Sequence, residues 1–301
     1  MRRCVLALGA FAAACSSSAP ASEAPVVPRP TITLSETERT KPASCNASWL
    51  AGSTGRVTTD GGEILVGASV AYCAYHPDSA VCLPWVKTTE GGWYTVLVRE
   101  PNRCMERLSV RVIPPEGRRL SDAYCAPALS AIDGVLDLAR DLRVYSLDAP
   151  TSLPPRGDAA QTRTVSFAGG LELTFAPDDL VEGDLYDKLS AAPVTDGERP
   201  CFLPPELALD GLYAFGPAMN VSVFAGKPKV KFKLPNPKGL PEGAAVELFV
   251  LGGSGTQLDD TRAIEEGSFV SIGAGRVREG RVVPDPGSEL PALTVVGYRR
   301  K

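Results

Sequence analysis

Val86-Lys87-Thr88-Thr89-Glu90-Gly91-Gly92-Trp93-Tyr94-Thr95-Val96-Leu97-Val98 decides how this chain is built. Two β-branched runs flank a Glu-Gly-Gly turn, and such a pattern reads as a hairpin. Successive side chains on a strand point to opposite faces, so Tyr94, Val96 and Val98 share one face and Trp93, Thr95 and Leu97 the other. The same pattern recurs on both sides. Gly55-Arg56-Val57-Thr58-Thr59 precedes the turn Asp60-Gly61-Gly62, and Ile64 to Val70 follows it. Leu108, Val110 and Val112 alternate with Ser109 and Arg111. Long helical patterns are absent, and 29 Gly and 27 Pro punctuate the chain throughout. The expectation is an all-β fold of short strands joined by turns.

The second half carries a second set. Leu171, Leu173 and Phe175 fall on one face, and Val230, Phe232 and Leu234 alternate with Lys231 and Lys233. Val246 to Val250, Gly280 to Pro284 and Leu290 to Tyr298 read as further strands. Between the halves, Val135 to Leu138 and Leu142 to Leu147 read as strands, and Thr151 to Thr162 as a connection. The organisation expected is two antiparallel β-sandwich-like domains, at 45–114 and 165–301, joined by a β-containing connection at 115–164. With 44% hydrophobic residues, both can hold cores.

The first of these resembles the carboxypeptidase regulatory-like (transthyretin-like) domain over residues 49–114. The motifs are Gly55-x-Val57, an Asp-Gly-Gly turn and Leu65-x-Gly67-Ala68-x-Val70, then Thr88 to Val96. That family is a structural accessory, so the resemblance implies no peptidase. Cys73, Cys82 and Cys104 depart from its usual pattern and suggest a loop-stapled variant. In residues 165–300, Phe215-Gly216-Pro217, Phe224 to Val230 and Leu234-Pro235 follow an order similar to ZU5-like β-sandwiches, which serve as packing and interaction units. Some relatives cleave themselves beside a His-Phe-Ser; Ser268-Phe269-Val270-Ser271 lacks the histidine, so self-cleavage is not expected.

The N-terminus points to export. Met1-Arg2-Arg3, a short apolar run from Val5 and Ala12-Ala13-Ala14-Cys15 form a secretory signal, since the run is far below the ~20 residues of a membrane-spanning helix. Cys15 resembles the lipidated cysteine of a bacterial lipobox, although Ala12 stands where Leu is usual. Residues 1–14 are then the signal and 15–44 a lipid-anchored tether rich in Ser, Ala and Pro. Ser16-Ser17, with no acidic residue after Cys15, favours the outer membrane. Beyond Cys4 and Cys15, six cysteines remain: Cys45, Cys73, Cys82, Cys104, Cys125 and Cys201. An even number in an exported chain reads as three disulfides. Many pairings are open, with Cys125 favoured for Cys201.

Chemistry is sparse. His76 is the single histidine, which disfavours Ser-His-Asp and Cys-His mechanisms and zinc sites. Gly252-Gly253-Ser254-Gly255-Thr256 lacks the last glycine of a nucleophile elbow and reads as a flexible turn. Asp178-Asp179, Asp259-Asp260 and Glu265-Glu266 read as solvated turns. No catalytic residue, metal or cofactor is expected. A net charge of −4 gives no reason to expect nucleic acid. The binding candidates are Trp93, packed against the neighbouring domain or open as an aromatic platform, and Lys227, Lys229, Lys231 and Lys233, at period two on one strand face. The role expected is a non-enzymatic envelope module in adhesion or assembly, whose partners are the membrane through its lipid and an envelope protein or surface polysaccharide. A carbohydrate-binding or carbohydrate-processing protein is the alternative.

Overall fold

The computed structural model describes residues 27–138, 140–195, 199–223 and 230–301. Residues 1–14, read from the sequence as a signal, and Cys15, Lys227 and Lys229 lie outside them. Between Ser48 and Val144 run β1 (Ser48–Trp49), β2 (Gly52–Thr59), β3 (Ser69–His76), β4 (Ser79–Cys82), β5 (Val86–Lys87), β6 (Trp93–Leu97), β7 (Cys104–Met105), β8 (Arg107–Ile113), β9 (Ala123–Cys125), β10 (Val135–Asp137) and β11 (Leu142–Val144). These form a sandwich. In one layer β2 pairs antiparallel with β6, and β10 and β11 pair with successive parts of β2 in parallel. In the other, β3 lies between β8 and the short strands β4 and β5, with β9 beyond β8.

Val57, Leu65, Ala68, Val70, Tyr94, Val96, Leu108, Val110 and Val112 are all buried in one cluster between the layers. The alternation legible around the Glu-Gly-Gly turn therefore selects the core face. Each aliphatic side chain so buried contributes roughly 1.5–3 kcal/mol. Two tyrosines enter this core and need partners there: the Tyr72 hydroxyl is 2.7 Å from Ser53 Oγ and 3.1 Å from the Tyr94 hydroxyl. A Cβ at Gly55 would lie 2.5 Å from that Tyr94 hydroxyl, so the motif glycine makes room for the network.

Ten strands follow: β12 (Pro150–Ser152), β13 (Arg163–Phe167), β14 (Glu172–Phe175), β15 (Ser190–Pro193), β16 (Gly211–Asn220), β17 (Lys231–Pro235), β18 (Ala245–Leu251), β19 (Phe269–Arg278), β20 (Arg281–Pro284) and β21 (Ala292–Arg300). They form one sheet in the order β12-β13-β14-β17-β20-β19-β18-β21-β16-β15. Asp148 bridges to Ala191 of β15, while Pro150 pairs with Phe167 of β13. The segment 148–152 thus joins the two ends of the order and closes the sheet into a ring. Phe167 and Phe215 meet edge to face inside it, as do Phe175 and Tyr186.

Four expectations change. The Glu-Gly-Gly turn does not close a hairpin: β5 pairs with β3 and β6 with β2, so the turn carries the chain from one layer to the other. Pairing is not wholly antiparallel: the pattern of Val135 to Leu147 marks strands but carries no direction, and the chain crosses over before pairing with β2. Residues 115–164 are more than a connection, since they supply β9, β10 and β11 to the first sandwich and β12 and the start of β13 to the ten-stranded sheet. The stretch 27–44 is not a free tether. Arg29 pairs with Asp137 and donates to Thr54 O, Leu34 is buried, and Trp49 Nε1 donates to the Glu38 carbonyl at 2.8 Å. Glu38 belongs to a single helical turn, α1 (Glu36–Arg39), and pairs with Arg103 at 2.7 Å. The low apolar content that suggested a tether hides a strap held by polar contacts.

The disulfides are Cys45–Cys104, Cys73–Cys82 and Cys125–Cys201. The last joins the two halves, as favoured from its place in the chain. Beside it Tyr124, Tyr145 and Leu147 from the first half pack with Phe202, Phe249 and Phe269 from the second. Gly267 sits at φ +79°, and a Cβ there would meet the Cys125 backbone at 2.6 Å, so only glycine allows this approach.

Candidate functional site

The lysine strand is the natural starting point. In β17, Lys231 and Lys233 are exposed and Phe232 and Leu234 buried, as the alternation requires. Lys233 stands opposite Glu172 of β14, and Lys231 opposite Thr174, which in turn faces Thr164 of β13. With Asp285 and Ser288 from the segment after β20, and with Val283, Pro284 and Pro286 beside them, these residues line a groove of about 370 Å³ that mixes polar and apolar groups. Glu172 is shared: Arg281 Nη1 lies 2.8 Å from Oε1, and Lys233 Nζ only 3.7 Å from Oε2. Lys231 has no ion-pair partner among the described residues. The Thr164 and Thr174 hydroxyls are 3.0 Å apart. The groove offers cations, carboxylates and hydroxyls to an extended ligand, rather than the uniform basic face expected from the four lysines.

Trp93 is placed otherwise than expected. It is half-buried, its Nε1 donates to Val27 O at 3.1 Å, and the guanidiniums of Arg29 and Arg56 lie 5.5 and 5.3 Å from its ring centre. Arg56 is itself held by Asp141 through two hydrogen bonds of 3.0 Å and one of 2.8 Å. The strap, not the neighbouring domain, covers this indole, and its one donor is spent. Trp85 is the open tryptophan, 46% exposed.

Other residues singled out from the sequence find structural roles. His76 ends β3 next to the Cys73–Cys82 staple; its Nε2 is buried rather than solvated, with no hydrogen-bond partner among the described residues. Asp259 accepts from Thr261 and Arg262, and these bonds hold its carboxyl well below the usual carboxylate range. Gly252 to Thr256 is a turn whose tip at Gly255 is exposed and whose Gly252, Gly253 and Thr256 are buried, with Thr256 Oγ1 donating to Asn220 Oδ1 at 3.0 Å. Glu266, expected in solvent, has a side chain only 3% exposed. It accepts from Ser109 Oγ at 2.8 Å and Arg111 Nε at 2.7 Å, so it binds the second half to β8 of the first. The doublet Glu265-Glu266 could not reveal this, because both bonds come from the other half of the chain.

Two larger clefts lie elsewhere. The first, about 1030 Å³, has its cations already occupied: Arg199 donates to three backbone carbonyls, and Lys238 to Leu209 O and Asp210. A cleft of about 720 Å³ lies where the halves meet. Among the described residues, no group of three His, Cys, Asp or Glu is placed to hold a metal ion, and no helix is long and apolar enough to cross a membrane. No protein-family model matches the chain, and no curated protein matches it either.

Proposed function

We propose that this chain is a non-enzymatic cell-envelope lipoprotein, exported and anchored by lipid on Cys15 at the outer membrane, that binds an envelope protein or surface polysaccharide. The first half is read as a carboxypeptidase regulatory-like unit and the second as a ZU5-like one. The carrying observation is the mixed groove at Lys231 and Lys233 on a doubly fixed body: binding groups face outward on a sheet whose other face is a packed core. Three disulfides support passage through an oxidising compartment.

The carbohydrate reading moves from Trp93 to this groove, where the Thr164 and Thr174 hydroxyls and the carboxylates of Glu172 and Asp285 suit a hydroxyl-bearing polymer. The test is binding of immobilised mature protein to solubilised envelope proteins and to purified acidic and neutral polysaccharides. Lys231→Glu with Lys233→Glu is expected to weaken an acidic partner at least tenfold, while Trp93→Ala leaves binding intact. Equal binding by the double variant would reject this groove. Mass spectrometry of the N-terminal peptide checks the anchor: an acylated Cys15 is expected, and an unmodified one sinks the lipoprotein reading.

A further inference from the structure

The cleft between the halves has a floor of Leu120, Leu147, Leu153, Leu185 and Leu189. Asp122 also lines it, with Oδ2 accepting the Ala218 amide at 2.8 Å. Oδ1 has no hydrogen-bond partner, and no cation pairs with Asp122, among the described residues. Asp122 is half-buried, and a carboxylate left without a cation in such a cleft favours one brought to it. The protein's own side chains supply none; burial instead pushes the carboxyl up to about 6. The lining charges otherwise balance: Arg118, Arg119 and Lys188 against Glu116, Asp122 and Asp187. Arg118 is taken by Glu63 at 2.7 Å, whereas Arg119 and Lys188 are exposed and free of ion pairs among the described residues. A balanced cleft with an apolar floor discriminates against a polyanion and suits a dipolar ligand. Its volume lies in the range of small-molecule sites, roughly 300–1,000 Å³.

We propose that this interdomain cleft binds short peptides with apolar side chains and a free N-terminus, the ammonium pairing with Asp122, the side chains lying on the leucine floor and the terminal carboxylate facing Arg119 and Lys188. This site is separate from the lysine groove and stands or falls without it. Lining by both halves makes the site a property of the assembled body rather than of either sandwich.

The test is an NMR titration of the whole mature chain in detergent with three probes: the dipeptide Leu-Leu, its N-acetyl form and its C-terminal amide. Leu-Leu is expected to bind with a Kd on the order of 0.1–1 mM, the range its size permits. N-acetylation should weaken binding at least tenfold and amidation by a smaller factor. Asp122→Asn, which keeps an acceptor for the Ala218 amide, should weaken Leu-Leu at least tenfold yet leave the acetylated peptide unchanged, and its melting curve shows whether the fold is intact. No binding at ten times the expected Kd overturns the proposal, as does equal binding of the free and acetylated peptides or full affinity in a folded Asp122→Asn. An amide binding as tightly as Leu-Leu would remove Arg119 and Lys188 from the site.

Discussion

The two halves solve the same problem differently. The first divides its strands between two small layers, and its core holds two aromatic side chains, Tyr72 and Tyr94. Their hydroxyls must be satisfied inside, and burial pushes Tyr72 up to about 12 and Tyr94 well above the ordinary value. Two disulfides, Cys45–Cys104 and Cys73–Cys82, and the strap from Val27 to Glu38 brace this half from outside. The second half closes ten strands into a ring around Phe167, Phe175, Phe215, Phe232, Tyr186 and Tyr298. It has no disulfide of its own; Cys201 reaches out to Cys125. Covalent staples sit where sheets are open and the core is small, which is where burial alone contributes least.

The seam between the halves is the place to break this comparison. Glu266→Ala should have the largest effect, because it leaves Arg111, 20% exposed, beside an emptied acceptor site. Removing one partner of a buried pair costs about 3–5 kcal/mol. Urea unfolding should show that loss, with the first half becoming the earlier to melt. A loss under about 1 kcal/mol would mean that the apolar contacts of Phe202, Phe249 and Phe269 hold the seam without it. Cys125→Ser with Cys201→Ser comes next, at about 2–4 kcal/mol, since that bridge closes a loop of 76 residues. The pair Cys73 and Cys82, only 9 residues apart, should cost less when removed, as shorter loops lose less entropy on closure. Comparable melting shifts for the two pairs would contradict that ranking.

Legibility follows the range of the interaction. Period-two alternation is local, so the core faces of β6, β8, β14 and β17 were open to reading from Tyr94, Val110, Leu173 and Phe232. Turn chemistry is local too, and Gly91 and Gly92 do adopt positive φ. The direction of β10 and β11, the ring closure through Asp148 and the strap all depend on partners far along the chain. Nothing in the residues around Val135 says that β2 will lie parallel to them. The same limit governs the candidate sites. The lysines of β17 were found by their spacing, whereas Glu172, Thr164 and Ser288, which turn that face into a groove, come from three other segments. Asp122 had no local signal at all: one carboxylate between Ser121 and Ala123 becomes distinctive only when Ala218 and the leucines of the second half close over it.

The smallest predicted effect is also the one whose sign is least obvious. Asp122 lies on the seam with its carboxyl pushed up from 3.8 to about 6 by burial, against the opposing pull of the Ala218 amide. In the unfolded chain the group loses its proton near its ordinary value. Between roughly pH 4 and 6 the folded protein therefore holds a proton that the unfolded chain has released, and this group's contribution to stability falls as pH rises through that window. Above it the penalty is constant. A tenfold change in proton affinity is worth about 1.4 kcal/mol, and because the carboxylate still touches cleft water the penalty at neutral pH is about 1–2 kcal/mol. Asp122→Asn should remove it, raising stability at pH 7.5 by that amount and leaving stability at pH 4 nearly unchanged. Chemical denaturation at both pH values measures the difference directly. A variant less stable at pH 7.5 would show that the ionised carboxylate is held by the second half rather than merely tolerated there, and the seam would then owe part of its strength to charge at a second point besides Glu266.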